Sequence, residues 1–210
     1  MSYLGIFGFP CSGQDYMVKV LQHYGVKISE TGDLHGVAGW RAMIPGFQPT
    51  EQVSRAPSKE GRNRRVTNNP MSIYPLVHLI RHPWHAIAAA ATLSTVDVEL
   101  IRDWTGQDSS KGVDEWHNKV RVLTRAFPVW YDEIRDQAPD MTLKIEELDK
   151  KADDFRRLLR LEEFTSHGHD DCFAAIVKHV DYKVAVELAG ENAAGQVEVI
   201  ARNLYKNVRA

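Results

Sequence analysis

Apolar positions along the chain follow two periods. Tyr3-Leu4-Gly5-Ile6-Phe7 is a short aromatic-rich run halted by Gly8, Pro10 and Gly13, and it predicts a buried strand. Tyr16, Val20, Leu21 and Tyr24 then recur at helical spacing, and Gly25 stands where a helix C-cap belongs, so a strand–loop–helix unit is expected. Val26-Lys27-Ile28 predicts a second short strand. From Gly32 to Asn69 the chain carries five Gly and three Pro with little periodicity, which predicts a long irregular connection with one helical turn around Trp40-Arg41-Ala42-Met43. Pro75-Leu76-Val77-His78-Leu79-Ile80 predicts a strand buried on both faces, and Pro83 opens an Ala-rich helix ending near Leu93.

A further helix is expected over Val96–Trp104. A long one is expected from about Val113 to Gln137, where Trp116, Val120, Leu123, Phe127, Trp130, Tyr131 and Ile134 hold the 3–4 spacing despite Pro128. Met141-Thr142-Leu143-Lys144-Ile145 returns to strand, and Glu146-Glu147 gives an acidic helix start continued by Phe155, Leu158, Leu159 and Leu161. The remainder reads as helical and surface-exposed. Strands alternating with helices imply an α/β fold, three layers (α/β/α) around a mainly parallel sheet of four or five strands. Length supports one domain over 1–210, with a flexible basic loop at about 45–72. In such sheets ligands bind beyond the carboxyl ends of the strands, which directs attention to Gly8–Asp15, Glu30–His35 and Arg81–His85.

Charge and composition narrow the function. With 26 Lys+Arg against 28 Asp+Glu the net charge is -2, which disfavours a basic nucleic-acid module. The best apolar run, Ile87–Ala91, is far short of the roughly 20 residues a membrane span needs. Cys11 and Cys172 cannot build a disulfide framework, and the start of the chain carries no basic leader region. These features predict a cytoplasmic protein without a membrane partner.

Gly8-Phe9-Pro10-Cys11-Ser12-Gly13-Gln14-Asp15 has the G-x-x-x-x-G spacing of a phosphate-cradling loop, placed after a strand and opening a helix. A nucleotide-hydrolysing loop requires Lys and then Ser or Thr after the second Gly, and here those positions hold Gln14 and Asp15. A kinase-like phosphoryl transferase is therefore disfavoured. A tight strand–helix turn whose glycines serve backbone geometry alone explains the same spacing.

Cys11-Ser12-Gly13-Gln14-Asp15 resembles the loop of sulfotransferases that use 3′-phosphoadenosine 5′-phosphosulfate (PAPS), usually R/K-S-G-T-T/S; Ser12 and Gly13 match, while Cys11, Gln14 and Asp15 depart. His78-Leu79-Ile80-Arg81-His82-Pro83, running into a helix, resembles the same family's strand ending in R-D/H-P, with Ala89 where the family has Ser. Trp104, Asp114-Glu115-Trp116-His117-Asn118 and Leu143-Lys144-Ile145-Glu146-Glu147-Leu148 resemble its later segments, so the likeness spans about Leu4 to Leu161. The resemblance implies a P-loop NTPase-like fold. It further implies PAPS as co-substrate at Gly8, Cys11, Ser12, Gly13, Gln14, Asp15 and Arg81, with Arg81 on the 3′-phosphate, and sulfuryl transfer to a hydroxyl or amine of a small-molecule or saccharide acceptor. The departures favour an alternative, a non-catalytic nucleotide- or anion-binding protein that retains the fold.

Transfer needs a base, and Glu30, followed by His35, stands on the predicted rim in a segment that resembles the stretch where some family members keep a Glu base. Both are equally explained as solvated loop side chains. Arg55, Lys59, Arg62, Arg64 and Arg65 form a basic segment that either closes over an anion or stays solvated. His82 with His85, and His167-Gly168-His169-Asp170-Asp171-Cys172, have no strong zinc spacing, and no metal is expected.

Overall fold

The computed structural model describes residues 2–24, 27–29, 33–34, 37–44, 73–92, 115–136, 139–159 and 178–205. The strands are β1 (Ser2–Gly8), β2 (Lys27–Ser29), β3 (Asp33–Leu34), β4 (Val37–Ile44), β5 (Ile73–Ile80) and β6 (Met141–Lys144). The helices are α1 (Gln14–His23), α2 (Pro83–Thr92), α3 (Glu115–Asp136), α4 (Leu148–Leu159), α5 (Tyr182–Ala189) and α6 (Glu191–Leu204), with a short 3₁₀ turn at Ile145–Glu147 between β6 and α4. This is an α/β architecture. The predicted helix at Val96–Trp104, the basic loop at 45–72 and the His167–Cys172 cluster lie outside the described residues.

The sheet runs in the order β2-β4-β1-β5-β6, with β3 paired to β4. β1, β5 and β6 are parallel neighbours, Gly8 lying opposite Leu79 and Ile80 opposite Lys144. β4 runs antiparallel to both β1 and β2, so the sheet is mixed rather than mainly parallel, and where a helical turn was expected around Trp40–Met43 the chain forms an eight-residue strand. Leu34 also pairs with Val37 across two intervening residues, so β3 and β4 form a hairpin and are antiparallel to each other. β2 nevertheless points the same way as β1, because each opposes β4.

The pleat of β5 sorts the core. Val77 and Leu79 join Ile6, Met17, Leu21, Leu143, Leu148 and Phe155, which places α1 and α4 on one face of the sheet. His78, between them, meets Trp130 and Tyr131 of α3 on the other face, at ring separations of 5.0 and 6.1 Å. Behind α3 a second cluster unites Ala86 and Ala90 of α2, Val120, Leu123 and Phe127 of α3, Ala185 of α5, and Ala194 and Val197 of α6. The C-terminal helices expected on the surface thus carry core residues. Their buried faces are mostly alanine, which lets helix backbones approach closely while adding little to a hydrophobicity reading.

Candidate functional site

The loop after β1 is built around one aromatic anchor. Phe9 is buried, its ring 4.8 Å from that of Phe127 and 5.5 Å from that of Trp130. The Ser12 N–H donates to the Phe9 carbonyl at 3.0 Å, closing a turn with Pro10 and Cys11 at its centre. Proline fixes a negative φ, while Cys11 has φ +64°, so the turn is of type II with a non-glycine residue at the position that favours glycine. Gly13 follows at φ +94° as the N-cap of α1, and its carbonyl accepts the Met17 N–H at 3.0 Å. A Cβ on Gly13 would stand 2.9 Å from Ile145 Cγ1, so the loop touches the turn after β6 as closely as a glycine allows.

Arg81 directly follows β5 on the same rim. Its guanidinium, in a residue 4% exposed, donates through Nη1 to the Cys11 carbonyl at 3.2 Å. The strand end and the loop are thus braced by a charge-assisted bond. His82 is the N-cap of α2, its carbonyl accepting the Ala86 N–H. The His82 N–H itself donates to Glu146 Oε1 at 2.8 Å, and Glu146 Oε2 accepts the Tyr205 hydroxyl at 2.9 Å. Lys144 stands 4.9 Å from the Tyr205 ring centroid and 3.6 Å from Glu147. On the flank, the Trp84 indole N–H donates to Glu198 Oε2 at 3.0 Å, and Arg202 donates to Oε1 of the same carboxylate at 2.8 Å.

Electrostatics follows from this packing. Burial lowers His82 below the usual imidazole range and the neighbouring His85 adds to this, against the pull of Glu146 and Glu198. His85 is lowered by partial desolvation, then by the Arg81 guanidinium and by His179, with Glu146 opposing. Burial, followed by the Glu146 carboxylate, drives the Tyr205 hydroxyl well above the ordinary phenol value. Burial alone would raise Glu198, yet the hydrogen bonds from Trp84 and Arg202 outweigh it and hold it low. Deeper in the fold, burial takes His78 down to about 3.

Of the residues singled out by sequence, Gly8, Cys11, Ser12, Gly13 and Arg81 come together at the ends of β1 and β5. Gln14 and Asp15 form the first turn of α1, and Ala89 lies half-buried on α2. Ser12 is 1% exposed and its N–H is committed to Phe9, so it serves the loop's shape. Glu30 and His35, the candidate bases, lie outside the described residues. The sequence reading missed Glu198 of α6 and Tyr205, the residue that caps it, which reach the rim only through the tertiary fold. Among the described residues no three potential ligands are grouped as a metal site, and no helix is long and apolar enough to cross a membrane. No known protein family, curated protein or solved structure matches the chain.

Proposed function

We propose that the chain is a nucleotide-binding protein of sulfotransferase-like, three-layer P-loop architecture, which holds PAPS or its product PAP at the rim that the β1 loop and Arg81 form together. The observation that carries this reading is the Arg81–Cys11 contact: a buried guanidinium fixed 3.2 Å from the loop carbonyl at the carboxyl edge of parallel strands. Cation and loop are positioned before any ligand arrives, so little ordering cost remains for binding. The first turn of α1 adds N–H groups, and Gly13 as N-cap brings no side-chain acceptor to compete for them. In the transfer reaction the acceptor oxygen or nitrogen would attack sulfur, the S–O bond to PAP would break, and a base would take the acceptor's proton; Glu30 and His35 remain the candidates. The absence of a cation from Cys11 to Asp15 favours the second reading, a binding protein without transferase activity.

Calorimetry with PAP, and with the same nucleotide lacking the 3′-phosphate, tests the proposal. Arg81→Ala should weaken PAP binding at least about tenfold, equivalent to about 1.4 kcal/mol, and affect the second nucleotide much less. Equal PAP affinity in wild type and in the folded variant would reduce Arg81 to a brace for the loop and remove the donor-site assignment.

A further inference from the structure

The turn after β6 reaches both halves of the rim with two adjacent residues. Ile145 is fully buried, and its Cγ1 lies 2.9 Å from where a Cβ on Gly13 would stand, so it abuts the N-cap of α1. Glu146, the next residue of the same 3₁₀ turn, gives its two oxygens to different partners. Oε1 accepts the His82 N–H at 2.8 Å, and Oε2 accepts the Tyr205 hydroxyl at 2.9 Å. Arg81, directly before His82, donates to the Cys11 carbonyl at 3.2 Å. Three contacts thus close a ring: loop to Arg81, His82 to Glu146, and Ile145 back to the loop at Gly13. We propose that Glu146 is a positioning residue for the anion site, fixing the backbone beside Arg81 and so the place from which its guanidinium meets a 3′-phosphate. This rests on the nucleotide-site reading above and adds the residue that orients its cation.

The peptide group decides why this bond matters. The His82 N–H belongs to the planar unit that begins at the Arg81 Cα, so holding that N–H fixes the plane on the far side of Arg81. On the near side, Ile80 pairs with Lys144 as the last step of the β5–β6 ladder. Arg81 and His82 are the two residues between strand and helix, and Pro83, the first residue of α2, has no N–H to contribute. Without Glu146, the backbone after Arg81 would lose its only charge-assisted restraint among the described contacts. A long side chain turns small backbone rotations into large displacements at its tip, so the guanidinium is the group that such a loss disturbs most. Tyr205 completes the device. By taking the second oxygen, it keeps the first directed at His82.

The test reads selectivity, the affinity for PAP divided by that for adenosine 5′-phosphate, by calorimetry on the full chain with urea titrations in parallel. Glu146→Ala should lower this ratio about threefold to tenfold, the range expected for a lost hydrogen bond. Glu146→Gln should restore it, because the amide oxygen can accept from His82 while the amide nitrogen donates to the Tyr205 oxygen. Tyr205→Phe should lower stability yet keep the ratio near wild type, since the His82 bond remains. In an Arg81→Ala background, Glu146→Ala should change the ratio no further, because the residue acts through Arg81. If Glu146→Ala does not fold, Glu146→Asp, one methylene short of His82, carries the same expectation. A wild-type ratio in the folded Ala or Asp variant, a loss in Glu146→Gln as large as in Glu146→Ala, or an equal loss in the Arg81→Ala background would overturn the positioning role and leave the nucleotide site standing. No binding of PAP by wild type would remove the site and the role together.

Discussion

Replacing Gly13 by alanine concentrates two costs at one atom. At φ +94° an L side chain carries a backbone penalty of about 1–2 kcal/mol. The new Cβ would also stand 2.9 Å from Ile145 Cγ1 and 3.1 Å from Cδ1, and Ile145 is fully buried and has no room to retreat. Overpacking of this kind adds about 1–3 kcal/mol, while the stiffer unfolded chain returns about 0.4–1 kcal/mol. The net loss is about 2–4 kcal/mol, readable as a lower urea midpoint at unchanged slope. Ile145→Ala removes both clashing carbons and, on its own, costs about 2–5 kcal/mol. In that background Gly13→Ala should cost only its backbone share, giving a coupling of about 1–3 kcal/mol in the double-mutant cycle. Equal costs of Gly13→Ala in the two backgrounds would refute the steric account and leave backbone conformation as the sole reason for glycine.

Two further outcomes concern buried polar groups. His78, 2% exposed with a folded pKa of about 3, contributes stability that is complete above its unfolded value of about 6.5 and declines as pH falls toward 3, by up to about 1.4 kcal/mol per pH unit. Urea titrations at about pH 7 and about pH 5 should show the decline, and His78→Leu should flatten it; an equally steep decline in the variant would refute the assignment. Tyr205→Phe keeps the ring but takes the hydroxyl from Glu146, for a loss of about 1–2 kcal/mol in wild-type comparison at neutral pH. In the wild type the raised Tyr205 pKa means its contribution is present below about pH 10 and lost as pH rises beyond that, which an alkaline absorbance titration will read; a phenol ionising with the exposed tyrosines would exclude the buried contact.

Residues close in sequence made much of the fold legible. The strand at Tyr3–Phe7, its glycine stop and the helix at Tyr16–Tyr24 follow from apolar spacing and turn chemistry alone, as do β5 with α2, the long α3 through Pro128, and β6. β4 escaped because Val37-Ala38-Gly39-Trp40-Arg41-Ala42-Met43-Ile44 mixes strand formers with Ala and Gly, and its partner β1 lies more than thirty residues earlier. The buried character of α5 and α6 did leave a trace, since Ala185 and Ala189, then Ala194, Val197 and Ala201, recur at helical spacing. At the rim, sequence brought Gly8 and Arg81 to notice through their places after two strands. The contact between Arg81 and the Cys11 carbonyl, and the arrival of Glu198 and Tyr205, depend on side-chain geometry across many intervening residues, for which no local pattern exists.

The Tyr205–Glu146 contact also sets a timetable for biosynthesis. β1 and its loop are made well before α6, yet Glu146 acquires its second donor only when residue 205 has been made, and Trp84 waits for Glu198 across 114 positions. Contacts this distant in sequence close late and slow the final folding step. A chain whose α6 has not docked lacks the second donor to Glu146 and the acceptor for the Trp84 indole, so substitutions that weaken α6 would lower the yield of folded chain.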